Sequence, residues 1–417
     1  PPTPARAAAA DATAGADIEP IFRGGPPPPP QALSRHRFTD SSTTLSKKKI
    51  QQAHNSAKRR LHVQQTRDRW RQNERDLQVA NDTKAWERIF AHPQNWEDAK
   101  RRGVVTQLCF RGVPPAVRRR AWCAMIGNPL MITRELYEIN SQRAQELSWQ
   151  QRMVSEAENK RFGSQGGPPP PSSQPDSFGS PAAAGKEETM QLLDQDLPRT
   201  LPQYQFLQTS GSLRDVLQTF VRYRPDIGYV QGMSYLAATL LLYMDDSFEC
   251  FTCFANLLNQ PFCFDIYRLQ REQLDLHIKT FEYFFKLNLP ALYQLFKRHD
   301  VEPMIYYLDW ALTLYVKCLP LDVVARVWDS YLLLGEAFCI RTALGILKLF
   351  GKTLSRMDSE EIARFLQHLP QDLNQQELFS QIEEIRITPE ECSQVVSRLS
   401  NSDGATRRRG FLSFLYS

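Results

Sequence analysis

From Lys186 to Leu399, apolar residues recur every three or four positions, the spacing that lines one face of an α-helix. Proline and glycine cut this region into pieces at Pro225, Pro261, Pro290, Pro303, Pro320, Gly335, Pro370 and Pro389. The pattern predicts helices over 187–197, 211–223, 230–244, 247–258, 268–286, 290–299, 304–316, 320–333, 336–353, 358–367, 375–383 and 389–399. Nowhere do apolar and polar residues alternate over the length of a strand, and no internal repeat is evident. The reading is an all-α, multi-helix fold.

Upstream the pattern changes. Residues 1–43 are Ala/Pro-rich with little periodicity and read as disordered. Between Leu45 and Phe90 there is neither Gly nor Pro, and Leu61, Trp70, Leu77 and Trp86 recur at spacings of seven to nine. One long helix is expected in this arm, residues 44–95, with a break near Asn81–Asp82. The main domain, residues 96–390, opens near Trp96–Gly103. Arg111-Gly-Val-Pro-Pro-Ala-Val-Arg118 reads as a turn whose prolines suit the first turn of a helix, and a second helix follows over 134–158. Residues 163–185, rich in Gly, Pro, Ser and Ala, form a loop too long for an ordinary connection and read as a disordered insertion, tolerated at the surface. Residues 391–417 hold the end of the last helix and a tail.

One run imitates a membrane span. Ile227 to Met244 carries no charge, yet Gly228, Gln231, Gly232 and Ser234 interrupt it, and Asp226 and Asp245–Asp246 flank it. It reads as a buried core helix.

Composition allows a large core, with 42% hydrophobic and 11% aromatic residues. The net charge of +5 is lopsided: Lys47–Arg75 holds ten Lys or Arg against Asp68 and Glu74, a local +8 that leaves about −3 elsewhere. Such a stretch is either a solvated helix face or a contact for anionic membrane; nucleic acid is not expected, because few aromatics interleave the charges for stacking. Eight cysteines without a framework and no signal peptide fit a reducing, cytoplasmic setting, and the opening Pro1 reads as the start of a fragment.

Self-contained catalysis finds no support. There is no Walker-type phosphate loop, dinucleotide fingerprint, His-Glu-x-x-His site or Gly-x-Ser-x-Gly elbow. Cys250-Phe-Thr-Cys253 has the gap of a zinc half-site but lacks a second ligand pair, so two thiols on one buried face are expected and no metal.

Two segments are polar where a helical core has no need of it. In Leu193-Asp-Gln-Asp196-Leu-Pro-Arg199-Thr200, Pro198 should end the helix near Asp196 and leave Arg199 on the following loop, three residues from a carboxylate that can orient its guanidinium. In Tyr223-Arg-Pro-Asp226-Ile-Gly228-Tyr229-Val-Gln231-Gly232-Met233, two glycines permit a tight backbone and close approach of another surface. Local chemistry leaves blander readings open, a salt bridge for Arg199 and a buried backbone cap for Gln231.

Their order along the chain resembles the TBC domain, the catalytic module of Rab GTPase-activating proteins. The match runs through Arg111-Gly-Val-Pro with Arg118 and Trp122, the Leu-x-x-Asp-x-x-Arg-Thr segment, and Gly-Tyr-Val-Gln-Gly-Met. It continues through Asp309-Trp310 with Thr313, Leu319-Pro-Leu321 and Arg326-Val-Trp328-Asp329, covering roughly residues 97–385. Leu193 stands where the family usually has Ile. Tyr223–Ser234 and Arg341–Phe350 resemble the subgroup of TBC family members twelve and fourteen, associated with recycling endosomes and autophagy.

The resemblance implies that Arg199 and Gln231 act in trans on the GTP of a bound Rab GTPase. It further implies that Asp196 holds Arg199 and Arg118 supports it, while Gly228, Tyr229 and Gly232 shape the loop that presents Gln231, with Thr200 beside them. The chain would then be an enzyme activator in vesicle trafficking, cytoplasmic and peripheral to endomembranes. It would need no cofactor of its own, since GTP and Mg²⁺ belong to the partner. The alternative is an inactive TBC scaffold that binds a Rab or another trafficking protein.

Overall fold

Proline sets where many of the helices begin. Its missing N–H and fixed φ suit the first helical turn, and Pro93, Pro115, Pro261 and Pro290 each open a helix. The computed structural model describes residues 73–162 and 186–401; the Ala/Pro-rich start, most of the basic arm, the 163–185 loop and the tail after 401 lie outside the described residues.

In chain order the helices are α1 (73–90), α2 (Pro93–Arg101), α3 (Val104–Arg111), α4 (Pro115–Ile126), α5 (Arg134–Phe162), α6 (Lys186–Asp196), α7 (Gln205–Thr209), α8 (Ser212–Tyr223), α9 (Met233–Leu241) and α10 (Ser247–Leu258). They continue with α11 (Pro261–Tyr267), α12 (Arg271–Asn288), α13 (Pro290–Arg298), α14 (Tyr307–Leu312), α15 (Leu321–Leu334), α16 (Glu336–Leu354), α17 (Ser359–Gln367), α18 (Gln375–Glu384) and α19 (389–401). Among the described residues there is no strand. The fold is all-α.

Its centre is α9, which packs between α8 and α10. Every residue of α9 except Tyr235 is buried, so the run that imitates a membrane span is a nine-residue core helix. No helix among the described residues is long and apolar enough to cross a membrane. Around α9, α5 lies along α8, α15 contacts α3, α4 and α16, and α16 packs on α18. Trp122, Trp310 and Trp328 are fully buried in this core. A smaller core forms where Trp86 stacks on Phe90 at 5.4 Å and meets Trp96 at 6.4 Å, above Val105 and Leu108. The end of the basic arm is therefore packed with α2 to α4.

The break expected near Asn81–Asp82 is absent, since α1 runs through both residues to Phe90. Downstream, two larger expectations change. The predicted helix over 304–316 is broken into a 3₁₀ turn at Pro303–Ile305, the short α14, and a turn over 313–319. The break is made by Leu314 (φ 42°) and Tyr315 (φ 68°), both left-handed, with the Tyr315 N–H donating to the Trp310 carbonyl at 2.8 Å. This is the six-to-one closure of a helix C-terminus. The second change is α11, a helix where Pro261 suggested only a separator. That proline is the first residue of α11 rather than the end of α10.

Candidate functional site

The two polar segments meet on one carboxylate. Helix α6 ends at Asp196, and Leu197–Arg199 continues as a single 3₁₀ turn, the tighter winding that often finishes a helix before proline blocks it. Asp196 is 1% exposed. Its Oδ1 accepts from Arg199 Nε at 2.8 Å and also from Arg199 Nη2. Its Oδ2 accepts the Tyr229 hydroxyl at 2.5 Å and the Gly232 N–H at 3.2 Å. A buried carboxylate needs several donors to offset its lost hydration, and here they come from both segments. The Arg199 side chain itself is 52% exposed. Burial, then the Asp196 carboxylate, pushes the Tyr229 hydroxyl well above the ordinary phenol range, so it stays a donor.

A second link lies beneath. The Thr200 hydroxyl bonds to the Asp196 carbonyl and to the Ser234 hydroxyl, each at 2.7 Å. The Tyr235 hydroxyl donates to the Arg199 carbonyl at 3.3 Å. Thr200 is fully buried, so this junction cannot slide without breaking hydrogen bonds away from water.

Gln231 sits in the turn just ahead of α9, which starts at Met233 rather than at 230. It is exposed, and among the described residues its amide has no hydrogen-bond partner, so the structure does not use it as a buried cap. Gly232 makes the turn possible. Its φ of 100° is costly for any residue with a Cβ, and a Cβ there would stand 3.4 Å from Thr313 Cγ2 and 3.7 Å from the Leu312 carbonyl oxygen. Gly228 (φ 69°) turns the chain ahead of Tyr229. Asp226 pairs with Arg224 through two hydrogen bonds of 2.8 and 2.7 Å and closes the approach to the turn.

Arg118 belongs to a different cluster. On α4 it donates through Nε and Nη2, each at 3.2 Å, to Asp329 on α15, and its guanidinium lies 5.3 Å from the Tyr243 ring centre. Asp329 is fully buried and also accepts the Val113 N–H at 2.7 Å and Trp122 Nε1 at 2.8 Å. Burial works against the Arg118 charge, but the neighbouring Asp329 outweighs it and holds the guanidinium above its usual value. No hydrogen bond joins Arg118 to Asp196, Arg199 or Gln231. Its work is to fasten α4 and the Arg111-Gly-Val-Pro turn to α15.

Sequence reasoning passed over Ser234, Tyr235 and the pair Asp309–Lys317. Lys317 Nζ lies 2.9 and 3.0 Å from the two Asp309 oxygens. A signal existed: Lys317 is the one charged residue between Asp309 and Asp322. Cys250 and Cys253 are buried, Cys253 with its Sγ 3.7 Å from Cys123 Sγ, and burial raises the Cys250 thiol. Among the described residues no three His, Cys, Asp or Glu side chains cluster to hold a metal ion.

The chain is similar to known proteins in sequence and in fold. The Rab-GTPase-TBC domain model matches residues 173–355. TBC1 domain family member 14 of Homo sapiens is 40% identical over 299 residues, covering 70% of this chain and 40% of its own. TBC1 domain family member 12 of Mus musculus is 36% identical over 359 residues, covering 85% of this chain and 47% of its own. The chain thus spans less than half the length of these two relatives. Drainin of Dictyostelium discoideum is 31% identical over 327 residues, covering 70% of this chain and 71% of its own. In fold, the chain is similar to the Ypt/Rab-GAP domain of Gyp1p, with a TM-score of 0.51 at 21% identity, over 74% of this chain and 97% of that one. The Asp196-centred junction therefore lies within a matched domain, and the chain belongs to the Rab-GTPase-TBC domain family, the RabGAP-TBC proteins.

Proposed function

We propose that this chain accelerates GTP hydrolysis on a Rab GTPase by lending it the Arg199 guanidinium and the Gln231 amide. The observation that carries this reading is the single buried carboxylate of Asp196, which ties both segments together and leaves both side chains exposed on their outer side.

Hydrolysis spreads negative charge over the transferring phosphoryl group, so catalysis is mostly positioning and electrostatic stabilisation. A guanidinium stays charged and presents planar donors that match phosphate oxygens. Arg199 is already restrained at one edge by Asp196, which lowers the entropy lost when it meets the partner. An amide can accept from the attacking water while donating to a phosphate or backbone oxygen, with no shifted pKa required. In this role Gln231 orients the water, and Gly228, Tyr229 and Gly232 fix the turn that presents it. GTP and Mg²⁺ belong to the partner, and the chain acts as an enzyme activator. Work at endomembranes in vesicle trafficking follows from the same reading, with the basic stretch 47–75 meeting anionic lipid.

The test is GTP hydrolysis by a panel of GTP-loaded Rab proteins, with and without the chain and its Arg199→Ala and Gln231→Ala variants. Acceleration of at least one Rab, lost in each variant, is expected. Tight binding of a GTP-loaded Rab at unchanged turnover would replace this reading with a scaffold. Flotation of the chain with anionic vesicles across a salt series tests the lipid contact; indifference to both salt and lipid charge would remove it.

A further inference from the structure

A second exposed cation is carried on the segment that adjoins the Gln231 turn, and nothing in the proposed reaction employs it. Lys317 and Asp309 pair through both carboxylate oxygens, at 2.9 and 3.0 Å, with side chains 45% and 38% exposed. Tyr235, at the start of α9, reaches the Arg199 segment. Its hydroxyl donates to the Arg199 carbonyl at 3.3 Å. Leu312, the last residue of α14, and Thr313, the first of the turn that leads to Lys317, rest against Gly232, the neighbour of Gln231. Arg199, Gln231 and Lys317 are thus carried on adjoining segments of one surface.

The backbone that delivers Lys317 is strained. Leu314 and Tyr315 are consecutive non-glycine residues in the left-handed region, a conformation costing roughly 1–2 kcal/mol each. The surroundings impose it: Tyr315 is 1% exposed, and its hydroxyl donates to the Cys339 carbonyl at 2.5 Å. Ala311–Cys318 contains no glycine or proline that would itself end α14 there. Strain that a buried anchor holds in place, ending in an exposed charge next to a site, is how a fold fixes the position of a functional group.

Resting on the proposed GTPase-activating function, the geometry points to Lys317 as a docking cation for an acidic side chain of the partner GTPase. In the free chain Asp309 holds the ammonium, and on association Lys317 turns from Asp309 to the partner's carboxylate. An exposed ion pair contributes about 0–1 kcal/mol to folding, so this exchange disturbs little in the chain itself. A cation at the rim of an interface acts chiefly on encounter and orientation. Lys317 is accordingly a positioning residue whose effect falls on KM and on the salt dependence of kcat/KM, whereas Arg199 governs kcat.

The experiment uses the whole 417-residue chain with a Rab that the wild-type chain accelerates, so a chain without any activity defeats the proposed function and not this inference. Lys317→Ala is expected to raise KM about 5- to 10-fold and flatten the salt dependence of kcat/KM, with kcat within about two-fold of wild type. Lys317→Glu raises KM further, and Lys317→Arg restores most of it. Asp309→Asn, which frees the ammonium, moves KM in the opposite direction. Thermal unfolding of each variant checks that the fold is intact. Equal losses in Lys317→Ala and Asp309→Asn would show that the pair only braces the turn, and would overturn the proposal. A fall in kcat at constant KM, or wild-type kinetics in Lys317→Glu, would overturn it too.

Discussion

Replacing Asp196 by Ala removes the one group that joins the two segments of the site. The structure sets the size of the effect. Tyr229 is 3% exposed and Asp196 1%, so the substitution strands the Tyr229 hydroxyl and the Gly232 N–H without an acceptor and away from water. Each orphaned donor costs about 1–3 kcal/mol. The Arg199 pair adds little, about 0–1 kcal/mol, because that side chain is half exposed and screened. A total loss of about 2–7 kcal/mol is expected. Tyr229→Phe is the internal control: it deletes one donor and leaves Asp196 bonded to Arg199 and Gly232, for a loss of about 0.5–1.5 kcal/mol. Urea denaturation of both variants measures the difference through the midpoint at constant m. At a temperature where Asp196→Ala is still folded, it should also fail to accelerate hydrolysis, since Arg199 and the Gln231 turn have lost their shared anchor. If Asp196→Ala is no less stable than Tyr229→Phe, or stays fully active, the account of Asp196 as the junction is wrong.

Other perturbations test the supporting frame. Arg118→Met leaves the Asp329 carboxylate buried without its cation and should cost about 3–5 kcal/mol in chemical denaturation; a loss below ~1 kcal/mol would contradict the assigned role. His277 lies between Glu336, at 2.7 Å, and Asp265, at 3.4 Å; burial alone would lower its pKa, but hydrogen bonds to the two carboxylates raise it to about 9. Because the folded value exceeds the usual ~6.5, the protonated histidine contributes up to about 3 kcal/mol below pH ~6.5, and this is lost as pH rises through about 9. The stability gap between wild type and His277→Gln should therefore close over that window, and a gap that does not vary with pH would refute the assignment. In α16, a Cβ on Gly345 would stand 2.5 Å from Ile382 Cγ1 of α18, so Gly345→Ala should cost about 1–3 kcal/mol by pushing the two helices apart, read as a drop in Tm.

Much of the scaffold was legible because helix burial writes a 3.6-residue period into the sequence, and the ends of α6, α8, α10, α13 and α15 fall within two residues of the expected ones. The turn over 313–319 was not. Ala311 to Cys318 keeps helical spacing and holds no turn-forming residue; only the burial of Tyr315 against Cys339 forces the left-handed backbone there. In the site, the end of α6 could be read from Pro198, and the tight turn from Gly228 and Gly232. What Asp196 does could be read only in part. Its pairing with Arg199 is three residues away, but its bonds to Tyr229 and Gly232 cross 33 and 36 residues, a distance over which spacing says nothing. Arg118 shows the converse: its motif is visible in the sequence, and its partner Asp329, 211 residues away, is not. Lys317, the lone charge in an apolar run, was passed over, and its place on the segment adjoining Gly232 follows from the fold alone.

The central claim is that Arg199 stabilises charge on the transferring phosphoryl group of a partner's GTP. Single-turnover hydrolysis by a responsive Rab, at saturating chain, isolates that step from binding. Arg199→Ala is expected to lower the accelerated rate constant by about 10³-fold or more, and Arg199→Lys, which keeps the charge but loses the planar fork, to recover only part of it. An Arg199→Ala chain that drives hydrolysis within about two-fold of wild type would contradict it.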